Sequence, residues 1–367
     1  MWQMHTSMRP MVRNGVVVAA VVVCAFAGFA GGWLLHPASS SPSAPATLAV
    51  IAAGSLAPSG LLPTLLSDFA AATPGVSAPT AAQLYEGSSA AATALAEGGQ
   101  PYDLFVSADF RVIPQSLEGI ASPAASWEVV FGADPLVLAY NSSTSALSGI
   151  SGTNWYSKIV QPGVVLGAPN ASADPLGANA IIALELEDSD RSLGGSLYGH
   201  FFSGGEGALA QPTSSVRLVA ETTAATALST GEVNVYLIYR SYAAADHLAY
   251  VTLDPSVNLG GTNATDVADY ASASTTVLSS SGGTKSVAGA PVLFALTVPS
   301  TAPDALLGLD CAAYLLSNAT AALWASDGFI PLAPLWTDAP GHLPPSLSGS
   351  APQGVAPLPS YLTALLA

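Results

Sequence analysis

Residues 172–179, SADPLGAN, set an aspartate, a proline and a glycine just ahead of the apolar run AIIALELED. Asp174 and Pro175 have the types of an N-cap and a first helical residue. A helix start is electropositive and binds anions through N–H groups that lack intrahelical partners. A carboxylate placed there is either a plain cap or an oxygen ligand for something other than a simple anion. Two further turns share the form. AGSLAPSG carries Ser55 and EGSSAAA carries Ser88, each after an apolar stretch and before a helical one. Either serine alone reads as a cap. Three strand-to-helix turns together would converge hydroxyls and N–H groups on an oxyanion, which offers only acceptor atoms.

Other chemistries lack their residues. A nucleophile elbow needs G-x-S-x-G after a strand, and AGSLAPSG does not supply it. His200 and His247 are far apart and have no metal-ligand spacing, and there is no Walker loop, CxxC or HExxH. A hydrolase is therefore the weakest alternative, and no enzymatic activity is expected. The net charge of -16 excludes nucleic acid binding through a basic surface. Beyond the N-terminal segment the only cations are Arg111, Lys158, Arg191, Arg217, Arg240 and Lys285. An anionic ligand must then be small and held by neutral donors.

The elements that would carry these turns alternate. TLAVIAAGS reads as a buried strand, and SGLLPTLLSDFAAATPGV as a helix with Leu61, Leu62, Leu65, Leu66 and Phe69 on one face. VSAPTAAQLY and YDLFVSAD read as further strands around a helix at EGSSAAATALAEGG, and WEVVFGADPLVLAYN as one longer extended stretch. VRLVAETTAATALSTGEVNVYLIYRS gives strand, helix, strand; PVLFALTVPS is a strand and the run after it a helical pair. Such alternation predicts an α/β fold with a mainly parallel sheet covered on both faces, whose ligands bind at the carboxyl ends of strands.

Arg9 and Arg13 precede the uncharged run Gly15–Leu35, which at about 1.5 Å per residue is long enough to span a bilayer. The flanking arginines orient the remainder outside. Residues 1–36 are expected to be a membrane anchor, or a signal peptide if cleaved, and residues 37–46 a Ser/Pro/Ala tether. Cys24 lies inside the apolar run, without the small residues expected around a lipidation site. Cys311 has no partner beyond the anchor and reads as a small core residue. Sequons at Asn141, Asn170, Asn263 and Asn318 fit an exterior location and a glycoprotein. Residues 337–367 are rich in Pro, Gly and Ser at their start and read as a loose extension.

The marks AGSLAPSG, EGSSAA, YDLFVSADF, VLAYN, SADPLGANAI, RLVAETTAATALSTGEVNVYLIYRSYA, YVTLDPSVNLGG, FALTVPSTAPDA and LLSNATAALWASDGFIPLAP, in this order over about residues 47–336, resemble the archaeal-type tungstate/molybdate-binding proteins of ABC importers. The resemblance implies a two-lobed type II periplasmic-binding-protein fold with a hinge, behind an N-terminal transmembrane helix. Lobe one would hold 47–132 and 300–336, and lobe two 133–299. It further implies that Ser55, Ser88, Gly177 and Tyr239 donate to the oxyanion and that Asp174 and Glu221 bind the metal centre directly. No cofactor is implied beyond the tungstate or molybdate ligand. The implied partners of a monomeric receptor on the extracellular face are an ABC permease and its ATPase. The Cys-Gly-Tyr-Arg type of run after Asp-Pro is replaced here by Leu176-Gly177-Ala178-Asn179. Alternatives are a receptor for another oxyanion such as sulfate, with Asp174 and Glu221 away from the ligand, and a sensory or surface ectodomain that binds no small anion tightly.

Overall fold

The apolar runs fold into two mixed sheets. The computed structural model describes residues 44–57, 61–99, 101–204, 208–279, 282–350 and 354–366, and Pro45–Ala367 forms one compact unit. The expected anchor Gly15–Leu35 lies outside the described residues. Among those described, no single helix is long and apolar enough to cross a membrane.

The larger sheet has seven strands in the order Val355–Pro357, Ile330–Thr337, Val129–Ala133, Leu293–Thr297, Leu104–Ser107, Val50–Ala53, Gln83–Glu86. The smaller has five, in the order Val216–Leu218, Leu166–Ala168, Val235–Tyr239, Leu136–Tyr140, Tyr250–Thr252. The central strands VIAA, LFVS, LFALT and VYLIY are buried along their whole length. That is why they read as unbroken apolar runs rather than as alternating ones. Helix Leu61–Ala72 turns Leu62, Leu65, Leu66 and Phe69 inward, each worth roughly 1.5–3 kcal/mol of burial. Cys311 is fully buried.

The sheets differ from the parallel arrangement that alternation predicts. Val50–Ala53 pairs in parallel with Gln83–Glu86 and with Leu104–Ser107. Leu293–Thr297, however, runs antiparallel to both of its neighbours, and Leu136–Tyr140 antiparallel to both of its own. The reason lies at Asp134-Pro135. WEVVFGADPLVLAYN is two strands, Val129–Ala133 in the larger sheet and Leu136–Tyr140 in the smaller. The chain passes straight from one sheet to the other with no crossover helix, and only such a crossover would keep successive strands parallel. The return passage differs too. Leu293–Thr297 belongs to the larger sheet, so the chain leaves the smaller-sheet region before residue 293 and not at 299.

The segment 337–367 is not loose. Val355–Pro357 adds a parallel strand beside Leu335–Thr337, and Leu347, Leu358 and Leu362 are buried. The Tyr361 hydroxyl donates to the Thr262 carbonyl at 2.9 Å. Pro and Gly set the turns here, while the spaced leucines supply the apolar contacts that fix the segment.

A hairpin that went unread in the sequence pairs Ser274–Leu278 with Thr284–Ala288. It packs against helix Pro175–Asp190. Ser274 N–H donates to Glu185 Oε2 at 3.2 Å, and Leu278 N–H donates to Ser172 Oγ at 2.9 Å.

Candidate functional site

All three strand-to-helix turns form. Gly54–Leu56 is a single tight turn directly after Val50–Ala53, with Ser55 fully buried. Ser88 is the first residue of helix Ser88–Ala96 and is also buried. Asp174 is the N-cap of helix Pro175–Asp190, its side chain accepting from Leu176 N–H at 3.0 Å, with Pro175 at the first helical position. So the local reading of Asp174 as a cap is correct, and the cap uses only part of its acceptor capacity.

Two glycines let these turns meet the opposing segments. A Cβ on Gly87 would lie 2.4 Å from the Ala173 carbonyl and 2.8 Å from Asp174 Cβ, so only glycine permits the approach. Ala90 N–H donates to that same Ala173 carbonyl at 3.1 Å. A Cβ on Gly54 would lie 2.9 Å from Glu221 Oε2. The turn holding Ser55 therefore abuts Glu221, and the turn holding Ser88 abuts Asp174. Glu221 itself opens the short turn Glu221–Thr223 and is buried.

The electrostatics of the pair are unusual. Burial pushes Asp174 up to about 6, with the Leu176 N–H offsetting only part of that rise. Burial pushes Glu221 well above the carboxylate range, and the Asp174 charge adds to this; the N–H and hydroxyl of Ser55 act in the opposite sense. Glu221 Oε1 makes no hydrogen bond, and the Ser55 hydroxyl lies near enough to Glu221 to favour its charged form without completing a hydrogen bond of normal geometry. Desolvation without a compensating cation has this effect on acids. Tyr239 is fully buried, and burial followed by the charges of Glu221 and Asp174 raises its phenol well above normal. Its oxygen accepts from Asn179 Nδ2 at 3.4 Å, which leaves the phenol proton to donate elsewhere. Asn179 stands where the Tyr-Arg pair was missing and supplies this contact.

Ser55, Asp174, Glu221 and Tyr239 thus share one electrostatic neighbourhood, and Ser88 borders it through Gly87. The Ser88 hydroxyl accepts from Ala108 N–H at 3.0 Å and keeps its own proton to give. Gly177 is different. Its N–H already donates to the Asp174 carbonyl at 3.1 Å. A Cβ there would sit 2.6 Å from the Pro169 carbonyl and 2.7 Å from the Ala171 backbone. Gly177 is glycine because the helix packs on that loop, and it faces an outer cavity of about 160 Å³ with Ile181, Phe202 and Leu278. A separate surface hollow of about 370 Å³ lies beside Glu185, Asp188 and Tyr198, away from the carboxylate pair.

Sequence reasoning missed the groups that brace this region. Asp109 and Arg111 form a buried ion pair at 2.7 Å. Asp134 accepts from the N–H and the hydroxyl of Ser241, and burial raises it to about 7 despite those bonds. Arg240 donates to the Gly328 carbonyl. A D-x-R in SADFR was the visible trace of the first; the others join residues about 90 to 110 positions apart.

Among solved structures, the chain is similar to the periplasmic molybdate-binding protein of Azotobacter vinelandii, at 15% identity and a TM-score of 0.49 over 77% of this chain and 98% of that one. It is also similar to the sulfate-binding protein SubI of Mycobacterium tuberculosis, at 14% identity and a TM-score of 0.48 over 79% and 88%. An uncharacterised solute-binding protein of Petrotoga mobilis is 30% identical over 220 residues, covering 59% of this chain and 64% of that relative's length. One from Methanococcus maripaludis is 26% identical over 298 residues, covering 76% and 82%. A model of the bacterial extracellular solute-binding proteins matches residues 48–330, a span that contains all three turns, Glu221, Tyr239 and the whole smaller sheet, and the chain belongs to that family.

Proposed function

We propose that this protein captures tungstate or molybdate between its two sheets and delivers it to an ABC permease driven by an ATPase. The carrying observation is the convergence of Asp174 and Glu221, both buried and with no cation among the groups that shift them. Beside them stand Ser55, whose hydroxyl makes no hydrogen bond of normal geometry, and the Tyr239 phenol. Once ionised, such a carboxylate repels sulfate or phosphate by about 1 kcal/mol at 4 Å in water and more in a dry site, and neither anion can accept it as a ligand. Hexavalent tungsten or molybdenum is a larger hard centre that accepts oxygen ligands beyond its four oxides. Asp174 and Glu221 would complete six-fold coordination, while Ser55, Ser88 and Tyr239 would bind the oxides. Among the described residues, no cluster of three or more His, Cys, Asp or Glu is arranged to hold a metal ion.

Both carboxylates are buried, and Gly87 touches Ala173, so a ligand enters only when these segments part. Movement of the two sheets about Asp134-Pro135 and the return before Leu293 is the route this topology offers. In this reading the protein works as a monomer outside the cell, tethered by residues 1–36 near its permease, where tethering raises the effective concentration. Calorimetry with tungstate, molybdate and sulfate tests the ligand assignment. Tungstate or molybdate is expected to bind at least about a hundredfold more tightly than sulfate, given the repulsion above. Asp174→Ala and Glu221→Ala are each expected to abolish that preference. Equal affinity for sulfate, or unchanged tungstate affinity in both variants, overturns it.

A further inference from the structure

Arg111 follows strand Leu104–Ser107 of the larger sheet and is, among the described residues, the one buried arginine or lysine. Its guanidinium is fully oriented. Nε donates to Asp109 Oδ1 at 3.0 Å and Nη2 to Asp109 Oδ2 at 2.7 Å, a two-pronged grip on one carboxylate. Asp109 is braced in turn, its oxygen Oδ1 accepting from Arg111 N–H and its N–H donating to Ser107 Oγ. The remaining arm reaches across the molecule: Nη1 donates to the Ala288 carbonyl at 2.7 Å.

Ala288 ends the hairpin Ser274–Leu278/Thr284–Ala288, where it faces Ser274. That hairpin holds helix Pro175–Asp190 through Ser274 to Glu185, and the turn ahead of Asp174 through Leu278 to Ser172. A Cβ on Gly289, next to Ala288, would lie 3.0 Å from Ile182 of the same helix. Lys285, on the outgoing hairpin strand, adds its charge to the field at Asp109. A path of bonds thus runs from the larger sheet through Asp109 and Arg111 to the hairpin, and from the hairpin to both sides of Asp174.

We propose that Arg111 is a positioning residue for the ligand site: its fork on Asp109 and its bond to Ala288 fix the hairpin that holds Asp174 against the Ser55 and Ser88 turns, and so set how long the ligand stays bound. The inference rests on the oxyanion-binding reading for its ligand and on hydrogen bonds alone for its mechanics. Tyr239 lies within electrostatic range of Arg111 as well as of Glu221 and Asp174.

The test uses the full-length protein with Arg111→Met and Arg111→Lys. Tungstate association and release are followed by tryptophan fluorescence, and amide hydrogen exchange is measured without ligand. Losing a charge-assisted bond should speed tungstate release on the order of tenfold in Arg111→Met, with association little changed. Arg111→Lys keeps the charge but cannot fill the fork, so it should fall between Arg111→Met and wild type. Ser274 and Leu278 amides should exchange faster in both. Wild-type release and exchange in Arg111→Lys overturn the proposal, as does slower association with unchanged release. If Arg111→Met does not fold, Arg111→Lys decides. If the wild type binds no tungstate, the oxyanion reading fails by itself, and exchange at Ser274 and Leu278 decides whether Arg111 holds the hairpin.

Discussion

Asp109 and Asp174 are the same residue type at the same exposure, 8%, and each sits in the turn that follows a strand of a buried sheet. Burial acts to raise both. At Asp109 the Arg111 charge and its hydrogen bonds outweigh burial and hold the carboxyl below its usual value. At Asp174 a single N–H from Leu176 cannot, and the group rises to about 6. Depth alone therefore does not set the charge state of a buried acid. What separates these two is whether the fold also buries a cation. Among the described residues the one buried guanidinium sits on Asp109, and Asp174 and Glu221 feel each other's charge with no cation among the groups that shift them.

Removing each acid should expose the difference most sharply. Asp109→Ala strands a buried guanidinium and should cost about 3–5 kcal/mol in urea denaturation. Asp174→Ala loses a cap worth about 1 kcal/mol but relieves a buried carboxylate, so ligand-free stability should change by under about 1 kcal/mol. Equal losses in the two variants would break the contrast. The next largest effect is in pH dependence, where the two acids have opposite signs. Asp174 has a raised folded value, so its contribution is fully present below 3.8 and is lost as pH rises through about 6. Asp109 has a lowered folded value, so its contribution is present above 3.8 and is lost as pH falls through that lower value. Subtracting the Asp174→Asn stability profile from that of wild type should leave a curve that falls between pH 4 and 6. A flat or rising difference would mean that Asp174 is better compensated than its contacts imply.

A steric test comes next in size. Gly87→Ala forces a methyl to 2.4 Å from the Ala173 carbonyl, and backbone cannot retreat as a side chain can. The variant should lose about 1–3 kcal/mol of stability, and the segments should part. Tungstate affinity should fall with it, whereas Gly54→Ala meets only side-chain atoms, Glu221 Oε2 at 2.9 Å and Thr222 Cγ2 at 3.3 Å, and should cost less.

The cap at Asp174, the helix starts and the leucine face of Leu61–Ala72 were legible because each is decided within a few residues by spacing and side-chain type. Assignment of strands to sheets was not. WEVVFGADPLVLAYN carries no local sign that its two halves belong to different sheets, because both halves are equally apolar. The 337–367 segment misled for a related reason: it is rich in Pro, Gly and Ser, and its buried leucines sit on elements too short, such as the four-residue helix Ser360–Thr363, to show a periodic face. At the site, the turns could be read but the braces could not. Arg111 meets Ala288 across 177 residues, and hydrogen bonds to a carbonyl leave no trace in the identity of the residue that offers it. Gly177 shows the same limit, since its N–H donates to a carbonyl three residues away that its own spacing does not announce.

The smallest expected effect is also the most specific. Tyr239→Phe keeps the buried ring and its edge contact with Phe294 at 5.7 Å, so the packing survives. It removes the acceptor for Asn179 Nδ2, which should cost roughly 0.5–1.5 kcal/mol. If the phenol proton meets an oxide of the ligand, tungstate affinity should also fall roughly tenfold, the size of one hydrogen bond to a charged partner. Asn179→Ala separates the two effects, because it loses the same internal bond but keeps the phenol. An affinity loss in Tyr239→Phe that Asn179→Ala reproduces in full would assign the phenol to bracing; a loss confined to Tyr239→Phe would place it on the ligand, opposite the two carboxylates that the chain leaves without a cation.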